Sequence, residues 1–381
     1  MSNVTVEEVS GWRGIREFVG VPWRLFHYKN DPHWVPPLRV ENYVRISPRL
    51  NPFHKHAKVK YLIARRNGEP VGRISSHISF RYNEFHDSNE GFFGWFECED
   101  DPETARALLE AAEQKQREWG TNAILGPFNY TVNNECGLLV DGFDTPPMLL
   151  MTHNPPYYQK LIENCAYEKA HDLFAYRMDT SQPVPELIAK IAEQIRARPD
   201  VKFRKWDIKH NLRRELEIFF DIYNSAWNRN WGFAPLEKDE LMSYEHEFKY
   251  LLDEDIAFMA EIDGKPAGFS LSLPNLNEAI IHMNGKLNPL TIWKFLKEKK
   301  RVNSVRVFAL GVKPEYRRIG IGAVFYADTL LVARARGYKW GEMSWILESN
   351  KNMNKAIQTM GGWVYKTYRI YRKELAGVAA E

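Results

Sequence analysis

The chain has 381 residues, of which 44% are hydrophobic and 27% are charged, proportions typical of a folded globular protein with room for two domains. Its net charge of only +3 excludes the domain-wide basic surface of a nucleic-acid-binding protein. Three cysteines without metal-ligand spacing, a start without a signal-peptide pattern and the lack of any membrane-length apolar run predict a cytoplasmic protein without a metal site.

The predicted elements repeat along the chain. "ARRNGEPVGRIS" begins at Ala64 and "AEIDGKPAGFSL" begins at Ala260, and their Asn-Gly and Asp-Gly pairs predict type I′ hairpins. At the same spacing, "NPPYYQKLIENCAY" from Asn154 matches "NKNMNKAIQTMGGW" from Asn350. At a slightly different spacing, "WVPPL" resembles "WGFAPL" more loosely. Two matches at one spacing indicate a duplication. We therefore predict one domain at 1–180 and another at 201–381, joined by a linker at 181–200.

The first half also carries a long loop, from Gly126 to Tyr158, which is rich in side-chain amides and aromatic rings. Loops of this length in compact domains are usually functional or disordered, and this one is too apolar to be disordered. The loop either forms part of a functional site or packs between the two domains without a functional role.

The second half gives a clear series of elements. A strand begins at Val201, a helix at Asn211 and a second helix at Lys238, and the Asp-Gly hairpin follows. After it come a strand from Ser304, a helix that stops at Gly337, a strand from Lys339, a helix and a closing strand. Strands joined by crossover helices predict, in each half, a mixed and mostly antiparallel sheet flanked by helices, an α/β (α+β) fold.

"VKPEYRRIGIG", Val312 to Gly322, lies between a strand and a helix. The backbone N–H groups of residues 318–323 are expected to be donors at the positive end of the helix dipole, which favours an anion. Two glycines would let a diphosphate approach the backbone, and two arginines add charge. The stretch lacks the Gly-Lys-Ser/Thr of a P-loop and the third glycine of a dinucleotide fingerprint.

Val312-x-Pro314-x-x-Arg317-x-x-Gly320-Ile321-Gly322 resembles the acyl-CoA-binding motif of the GCN5-related N-acetyltransferases, and Asn350-x-x-Met353 resembles that family's second signature. The resemblance implies two tandem domains of that fold, with acetyl-CoA or another acyl-CoA as a substrate whose pantetheine arm lies between the Ser304 and Lys339 strands. Backbone amides near Leu310 would polarise the thioester carbonyl, and an amine would attack it. The residues that the resemblance assigns to the acyl-CoA are Leu310, Val312, Arg317, Arg318, Ile319, Gly320, Ile321, Gly322, Ala323 and Met353.

The sequence departs from the family pattern at the catalytic positions. Ile357 stands where many members have a Tyr that protonates the leaving thiolate, and the Ser304 strand carries no acid. Glu348 is then the candidate base, with a solvated acid at a strand end as the alternative. Asn350 is a candidate catalytic residue or a helix cap, and the two roles are compatible.

The first half resembles a degenerate copy. Asp100, Asp101 and Glu103 occupy the position of the glycine loop and would repel a diphosphate, so one acyl-CoA site is expected. In this context the Gly126 loop would wall the acceptor site, and the candidate acceptor contacts are Asn129, Tyr130, Asn133 and His153.

Residues 288–302 alternate apolar side chains with lysines. A basic amphipathic helix of this kind either lies on an anionic membrane or packs on its own domain with a solvated lysine face. "DPHWVPPL" and the Gly126 loop resemble a group of tandem proteins that includes the bacterial type of ceramide synthase, which would imply a lipid amine rather than a small-molecule amine as the acceptor.

Three functions stay open. The first is an N-acyltransferase, and the second is a non-catalytic acyl-CoA binder or sensor. The third, an aminoacyl-tRNA-dependent peptidyl transferase, is disfavoured by the mild charge.

Overall fold

The computed structural model describes residues 4–375, which form two compact units. Unit 1 comprises the residues up to Leu173, Ile280–Trp293 and the residues from Lys366 onward, and unit 2 comprises Phe174–Ala279 and Lys294–Tyr365. The strands are β1 Val4–Glu8, β2 Ala57–Arg66, β3 Glu69–Ser79, β4 Glu90–Cys98, β5 Ala123–Gly126, β6 Phe128–Asn129, β7 Glu135–Cys136, β8 Leu138–Asp141, β9 Glu168–Asp179, β10 Val201–Lys205, β11 Ala257–Ile262, β12 Lys265–Pro274, β13 Ser304–Val312, β14 Trp340–Leu347 and β15 Trp363–Glu374. The helices are α1 Gly11–Gly20, α2 Phe26–Asn30, α3 Arg39–Ile46, α4 Phe80–His86, α5 Pro102–Glu118, α6 Tyr157–Glu163, α7 Glu186–Arg196, α8 Ile208–Trp227, α9 Lys238–Ser243, α10 Glu245–Leu251, α11 Asn277–Ile280, α12 Pro289–Lys299, α13 Ile321–Ala335 and α14 Lys351–Thr359.

This division differs from the predicted domains. Residues 181–200 are not a linker, because they contain α7, whose Ala192 and Ile195 are buried in one cluster with side chains of α13. The end of the chain joins unit 1, because Tyr371–Glu374 pair with β5. The predicted single helix from Lys238 is two helices, α9 and α10, which meet at Tyr244.

The two units share one strand arrangement, which confirms the predicted fold class. Unit 1 has the order β1-β2-β3-β4-β5 and unit 2 the order β10-β11-β12-β13-β14. Within each of these orders, neighbouring strands are antiparallel except for the last two, β4–β5 and β13–β14, which are parallel. A parallel pair requires a crossover, and α5 and α13 provide it.

The two hairpins agree in detail. Asn67 and Gly68 have φ values of 53° and 83°, and Asp263 and Gly264 have 48° and 72°, as a type I′ turn requires. The ladder shifts register after Ala64 in one hairpin and after Ala260 in the other. Equivalent turns and bulges at one spacing support the duplication.

In unit 2, alternate residues of β11 pack in two different hydrophobic cores. Phe258, Ala260 and Ile262 pack with α7 and α13, whereas Ala257 and Met259 pack with α8. This alternation follows from the period of two along a strand, so helices cover both faces of the sheet. Side chains of β13 pack in both cores and side chains of α13 pack in the first, and these two elements carry the predicted motif.

Candidate active site in unit 2

The parallel strands β13 and β14 separate toward their carboxyl ends. They pair only from Ser304 opposite Trp340 to Val307 opposite Met343, although β13 continues to Val312 and β14 to Leu347. Beyond Val307, every second backbone N–H of β13 faces the gap without a strand partner on that side. A gap is therefore present between the two strands that the resemblance assigns to the pantetheine arm.

The gap opens into a cavity of about 140 Å³ within unit 2. The ends of both strands line it, together with one face each of α13 and α14 and residues near the end of α8. None of the lining side chains among the described residues carries a formal charge. Its lining includes Leu310, Tyr326, Ala333, Asn350, Met353 and Ile357.

The helix next to this gap begins without a side-chain cap. Gly320 is the N-cap of α13, with φ of 99°, and no acidic residue stands in the first turn. The N–H of Ala323 donates to the Gly320 carbonyl at 3.0 Å. Pro314–Ile319 form a 3₁₀ helix, whose amides bond to carbonyls three residues back. The donors open to an anion are therefore those of Ile321 and Gly322, a shorter stretch than the predicted 318–323.

Gly320 and Gly322 have different structural roles. A β-carbon at Gly320 would lie 3.3 Å from Ile191 of α7, so this glycine serves the left-handed turn and the packing of α7 rather than a path for the diphosphate. A β-carbon at Gly322 would lie 3.8 Å from the hydroxyl of Tyr326, on the cavity side. Gly322 is thus the residue whose lack of a side chain keeps the approach open.

Of the remaining motif residues, some hold the loop or pack in the core, and one is exposed to solvent. The guanidinium of Arg317 donates to the carbonyls of Ala226, at 2.5 Å, and of Val312, at 3.4 Å, so it ties the loop to α8. Arg318 is exposed and makes no side-chain hydrogen bond or ion pair with residues 4–375. The side chains of Ile319 and Ile321 pack in the core with Val312.

The second signature lies at the other wall of the cavity. The side-chain oxygen of Asn350 caps α14 by accepting from the Met353 N–H at 3.2 Å, and both residues line the cavity. Ile357 lines the cavity too, at the position where related proteins are expected to have Tyr. The predicted cap is confirmed.

A phenol nevertheless reaches the cavity, from α13. The Tyr326 hydroxyl points to the Met353 sulfur at 3.6 Å, and burial raises the pKa of Tyr326. Sequence reasoning missed this residue because it searched for Tyr on α14 only. The helical spacing of Tyr326, Leu330 and Ala333, which places them on one face, was the available signal.

Two carboxylates in or next to β14, Glu342 and Glu348, have different surroundings. Glu342 is fully buried, accepts from the Ser344 hydroxyl at 2.5 Å and from the Tyr365 hydroxyl, and lies 3.8 Å from the Arg306 guanidinium. Glu348 is half-buried in the turn between Leu347 and Asn350, which both line the cavity. Glu342 is therefore structural, and Glu348 is placed next to cavity residues in the chain.

The equivalent gap in unit 1 is filled by its own chain. β4 and β5 pair only over Glu90–Phe92, and the segment that follows β5 then lies against β4. The Trp95 N–H donates to the Asn129 side chain at 2.8 Å, and a β-carbon at Gly94 would lie 1.7 Å from the Phe128 carbonyl oxygen. Counted from the first parallel pair, Trp95 corresponds to Ala309 beside the cavity of unit 2. The Gly126 loop thus begins by closing the gap inside unit 1.

The start of α5, the equivalent helix in unit 1, is blocked to an anion as well. The side chain of Asp101 caps α5 by accepting from the Thr104 N–H at 3.0 Å, and Arg66 pairs with Asp101, Glu99 and Glu103. Burial acts to raise the pKa of Asp101, but the hydrogen bonds from Thr104 and the charge of Arg66 outweigh it and leave the pKa below its usual value. A carboxylate occupies the place that a phosphate would take.

The four predicted acceptor contacts all make hydrogen bonds within unit 1. Asn129 lies in the filled gap and also donates to Glu135 at 3.1 Å, while Asn133 belongs to a turn at Thr131. Tyr130 is 1% exposed, and its hydroxyl bonds to Tyr61 and to the Arg45 carbonyl. The burial of Tyr130 and the hydrogen bonds of Asn129 in the filled gap are the physical reasons to expect packing rather than substrate contact.

His153, the fourth predicted contact, is held by an acid. Its Nε2 lies 2.7 Å from Asp31 Oδ2, and its buried Nδ1 makes no hydrogen bond within residues 4–375. Burial acts to raise the pKa of Asp31, but the hydrogen bonds from His153 and from the His33 N–H lower it below its usual value. This pair belongs to "DPHW", which sequence analysis quoted without assigning a role to Asp31.

A glycine within β13 also escaped sequence analysis. A β-carbon at Gly311 would lie 2.4 Å from the ring of Trp227, a cavity residue on α8. Glycine inside a strand often marks such a close approach, and this signal was present in "ALGV".

Comparison with known proteins gives concordant results. Residues 216–361 match the model of the acetyltransferase (GNAT) family. The chain is 37% identical over 371 residues to a protein of Caulobacter vibrioides named bacterial ceramide synthase, covering 95% of each chain. It is 36% identical over 371 residues to Protein YghO of Escherichia coli, covering 95% of this chain and 93% of that protein. A tandem GNAT protein from the clavulanic acid biosynthesis pathway superposes over 98% of both chains with a TM-score of 0.57 at 11% identity, a likeness of fold.

Proposed function

Because the chain belongs to the acetyltransferase (GNAT) family, we propose that unit 2 is an N-acyltransferase that moves an acyl group from acyl-CoA to an amine. The observation that carries the proposal is the apolar cavity in the gap between β13 and β14, beside the uncapped start of α13. An anion-binding helix start next to an apolar cavity matches the diphosphate and the acyl arm of one substrate.

In this proposal the diphosphate binds at the start of α13. The N–H groups of Ile321 and Gly322 donate to it, and Arg318 supplies a positive charge that no residue of the described chain neutralises. Arg317 acts indirectly, since its bonds to Ala226 and Val312 fix the loop. Of the two equivalent helix starts within residues 4–375, that of α5 is capped by Asp101, whereas that of α13 has no side-chain cap.

The cavity favours an acyl chain longer than acetyl. A water-sized group occupies about 30 Å³, and a cavity of about 150 Å³ can bind benzene, so a cavity of about 140 Å³ takes roughly five groups of methylene size. It extends along α13 from Tyr326 to Ala333, about 10 Å along the helix axis. An uncharged lining of this length suits a fatty acyl chain.

The proposed acyl transfer needs few catalytic groups. The amine nitrogen attacks the thioester carbonyl carbon, the C–N bond forms, and the C–S bond breaks with release of the CoA thiolate. N–H groups at the free edge of β13, near Leu310, would stabilise the oxyanion of the tetrahedral intermediate. Two protons must move, one from the amine and one to the thiolate.

We assign these two protons to Glu348 and Tyr326. Glu348 would accept the amine proton, directly or through one water, because it follows the last cavity residue of β14. Tyr326 would protonate the thiolate in place of the Tyr that Ile357 replaces. Burial raises the pKa of Tyr326, so its phenol keeps the proton at neutral pH.

For the acceptor we propose a lipid amine. A ceramide is the amide of a fatty acid with a long-chain amino alcohol, and a relative that is 37% identical over nearly the whole chain is named for its synthesis. The long apolar cavity is consistent with a fatty acyl donor for such an amide. A long-chain amine is therefore expected to be a better acceptor than a small polar amine, and it is the first to test.

A non-catalytic acyl-CoA binder is the second candidate. It is favoured by Ile357 at the usual Tyr position and by a cavity lining without a charged side chain in the described chain. A binder would hold the thioester without releasing CoA.

Thiol release by the full chain separates the two. Acetyl-, decanoyl- and palmitoyl-CoA are each mixed with a long-chain amino alcohol or with a short polar amine, and free thiol is followed with a colorimetric reagent. The N-acyltransferase releases CoA with a fatty donor and the long-chain amine. Tight binding of decanoyl-CoA by calorimetry, with no thiol release from any pair, would establish the binder instead.

A further inference from the structure

Helix α12 presents apolar side chains to solvent. Leu290, Trp293 and Leu296 are 62%, 59% and 56% exposed, and Leu287 just before the helix is exposed too. The expectation that this helix packs its apolar side on the protein is therefore not met. Several large exposed apolar residues on one short helix are unusual in a folded protein and mark an interaction surface.

The inward face of α12 is defined by other residues. Thr291 is buried, and Phe295 and Glu298 are half-buried, which places them on one side of the helix. At 100° per residue, Trp293 and Leu296 lie on the opposite side, with Ile292 next to them. The outward face is therefore apolar along its centre.

The start of the helix is firmly built, so this exposure does not come from fraying. Asn288 and Thr291 form a reciprocal cap, with each side chain accepting from the other residue's N–H at 3.0 Å. Just before it, the Gly285 carbonyl accepts from the Arg39 N–H at 3.1 Å, within unit 1. The apolar face is held outward by these bonds.

Basic residues flank the apolar face. Lys294 and Lys297 lie on one flank and Lys299 on the other, and Lys300 and Arg301 follow the helix. Glu298, the one acid in α12, points inward and pairs with Arg301 at 3.2 Å. The surface that surrounds Trp293 is therefore positively charged.

We propose that α12 docks in the plane of an anionic lipid bilayer, with Trp293 and Leu296 inserted between the lipids and the lysines on the headgroups. The pattern of an apolar centre with basic flanks and an aromatic residue fits an interfacial helix. Among residues 4–375 no helix is both long and apolar enough to cross a membrane. A second copy of the chain fits this face less well, because it would bring lysines against lysines.

Vesicle flotation tests the proposal without any assay of activity. The full chain is mixed with phosphatidylcholine vesicles made with or without phosphatidylglycerol. It should float with the anionic vesicles only, and about 1 M salt should release most of it, since the Debye length falls to ~3 Å. Binding that is equal on neutral vesicles, or absent from both, would overturn the proposal.

Two variants separate the contributions. Replacing Trp293 and Leu296 together by Gln should weaken binding at least about tenfold, and replacing Lys294, Lys297 and Lys299 by Gln should weaken it about fivefold per lysine. All five side chains are exposed, so folding should be unchanged. Leu187→Gln, an equally exposed leucine on α7, is the matched control and should float like the parent.

The solution mass of the parent and of the Trp293/Leu296 variant provides the second measurement. A monomer in both is expected. A dimer that the two substitutions abolish, together with unchanged flotation of the variant, would assign the face to a second copy of the chain and overturn membrane docking.

Discussion

Replacing Ala333 by Leu tests whether the cavity of unit 2 holds the acyl chain. Ala333 is 2% exposed and lines the cavity two turns after Tyr326 on the same face of α13. Its side chain lies at the end of the cavity remote from the start of the helix. Leucine adds three carbons there, and these would displace about three methylene groups of a long acyl chain.

The magnitude follows from the apolar contacts that are lost. At about 0.8 kcal/mol for each buried methylene, three methylenes amount to roughly 2.4 kcal/mol, or about fiftyfold in kcat/KM. The loss applies to decanoyl-CoA. If the cavity holds the acyl chain as proposed, acetyl-CoA would not reach this end of it, so its kcat/KM should change less than about twofold.

The assay is thiol release from each thioester with one amine, alongside thermal unfolding. Ala333→Ser is the matched control, because it keeps the volume and its hydroxyl can bond to the Thr329 carbonyl four residues earlier. Leucine that fails to fit would lower Tm and both rates together. An equal loss for acetyl- and decanoyl-CoA in a variant of unchanged Tm, or no loss for decanoyl-CoA, would refute this use of the cavity.

Further outcomes are expected. Gly320→Ala should cost about 1–3 kcal/mol of unfolding free energy in denaturant titration, because φ is 99° there, whereas Gly322→Ala should cost little; equal costs would contradict the two roles. Tyr326→Phe should slow acyl transfer about a hundredfold, and less with an aryl thioester whose thiolate leaves without a proton. Because burial raises the pKa of Tyr326, the parent should not lose the acid function as the pH rises to about 10, and a loss near neutral pH would point to another acid. Glu348→Gln should lower turnover about a hundredfold with CoA affinity kept, and full activity in that variant with a loss in His153→Gln would move the base to His153. Calorimetry should give one CoA per chain, and a stoichiometry of two would contradict the closed helix start and filled gap of unit 1.

Local patterns in the sequence were sufficient for the two hairpins and for most of the strands and helices of unit 2. The Asn-Gly and Asp-Gly turns fix positive φ by themselves, and the strand, glycine and helix order around Gly320 requires only neighbouring residues. Asn350 caps its helix as its residue type predicts. The repeat then followed from the spacing of these local signals.

The site depended on contacts between residues far apart in the chain. The sequence does not reveal that Gly320 faces Ile191, or that Arg317 is already bound to Ala226. Nor does it reveal that Phe128 closes the gap of unit 1 while the gap of unit 2 stays open. Such choices arise from packing, because a side chain can turn to the core or to a ligand with the same local sequence.

The amphipathic segment at 288–302 shows the same division. Its composition determined a helix with apolar and basic residues, and left open whether the apolar face is covered. Only the tertiary structure decided this, because the helix turns Thr291 inward and leaves Trp293 and Leu296 in solvent. A hydrophobic pattern gives the period of an element, whereas the direction of its apolar face depends on what the rest of the chain buries against it.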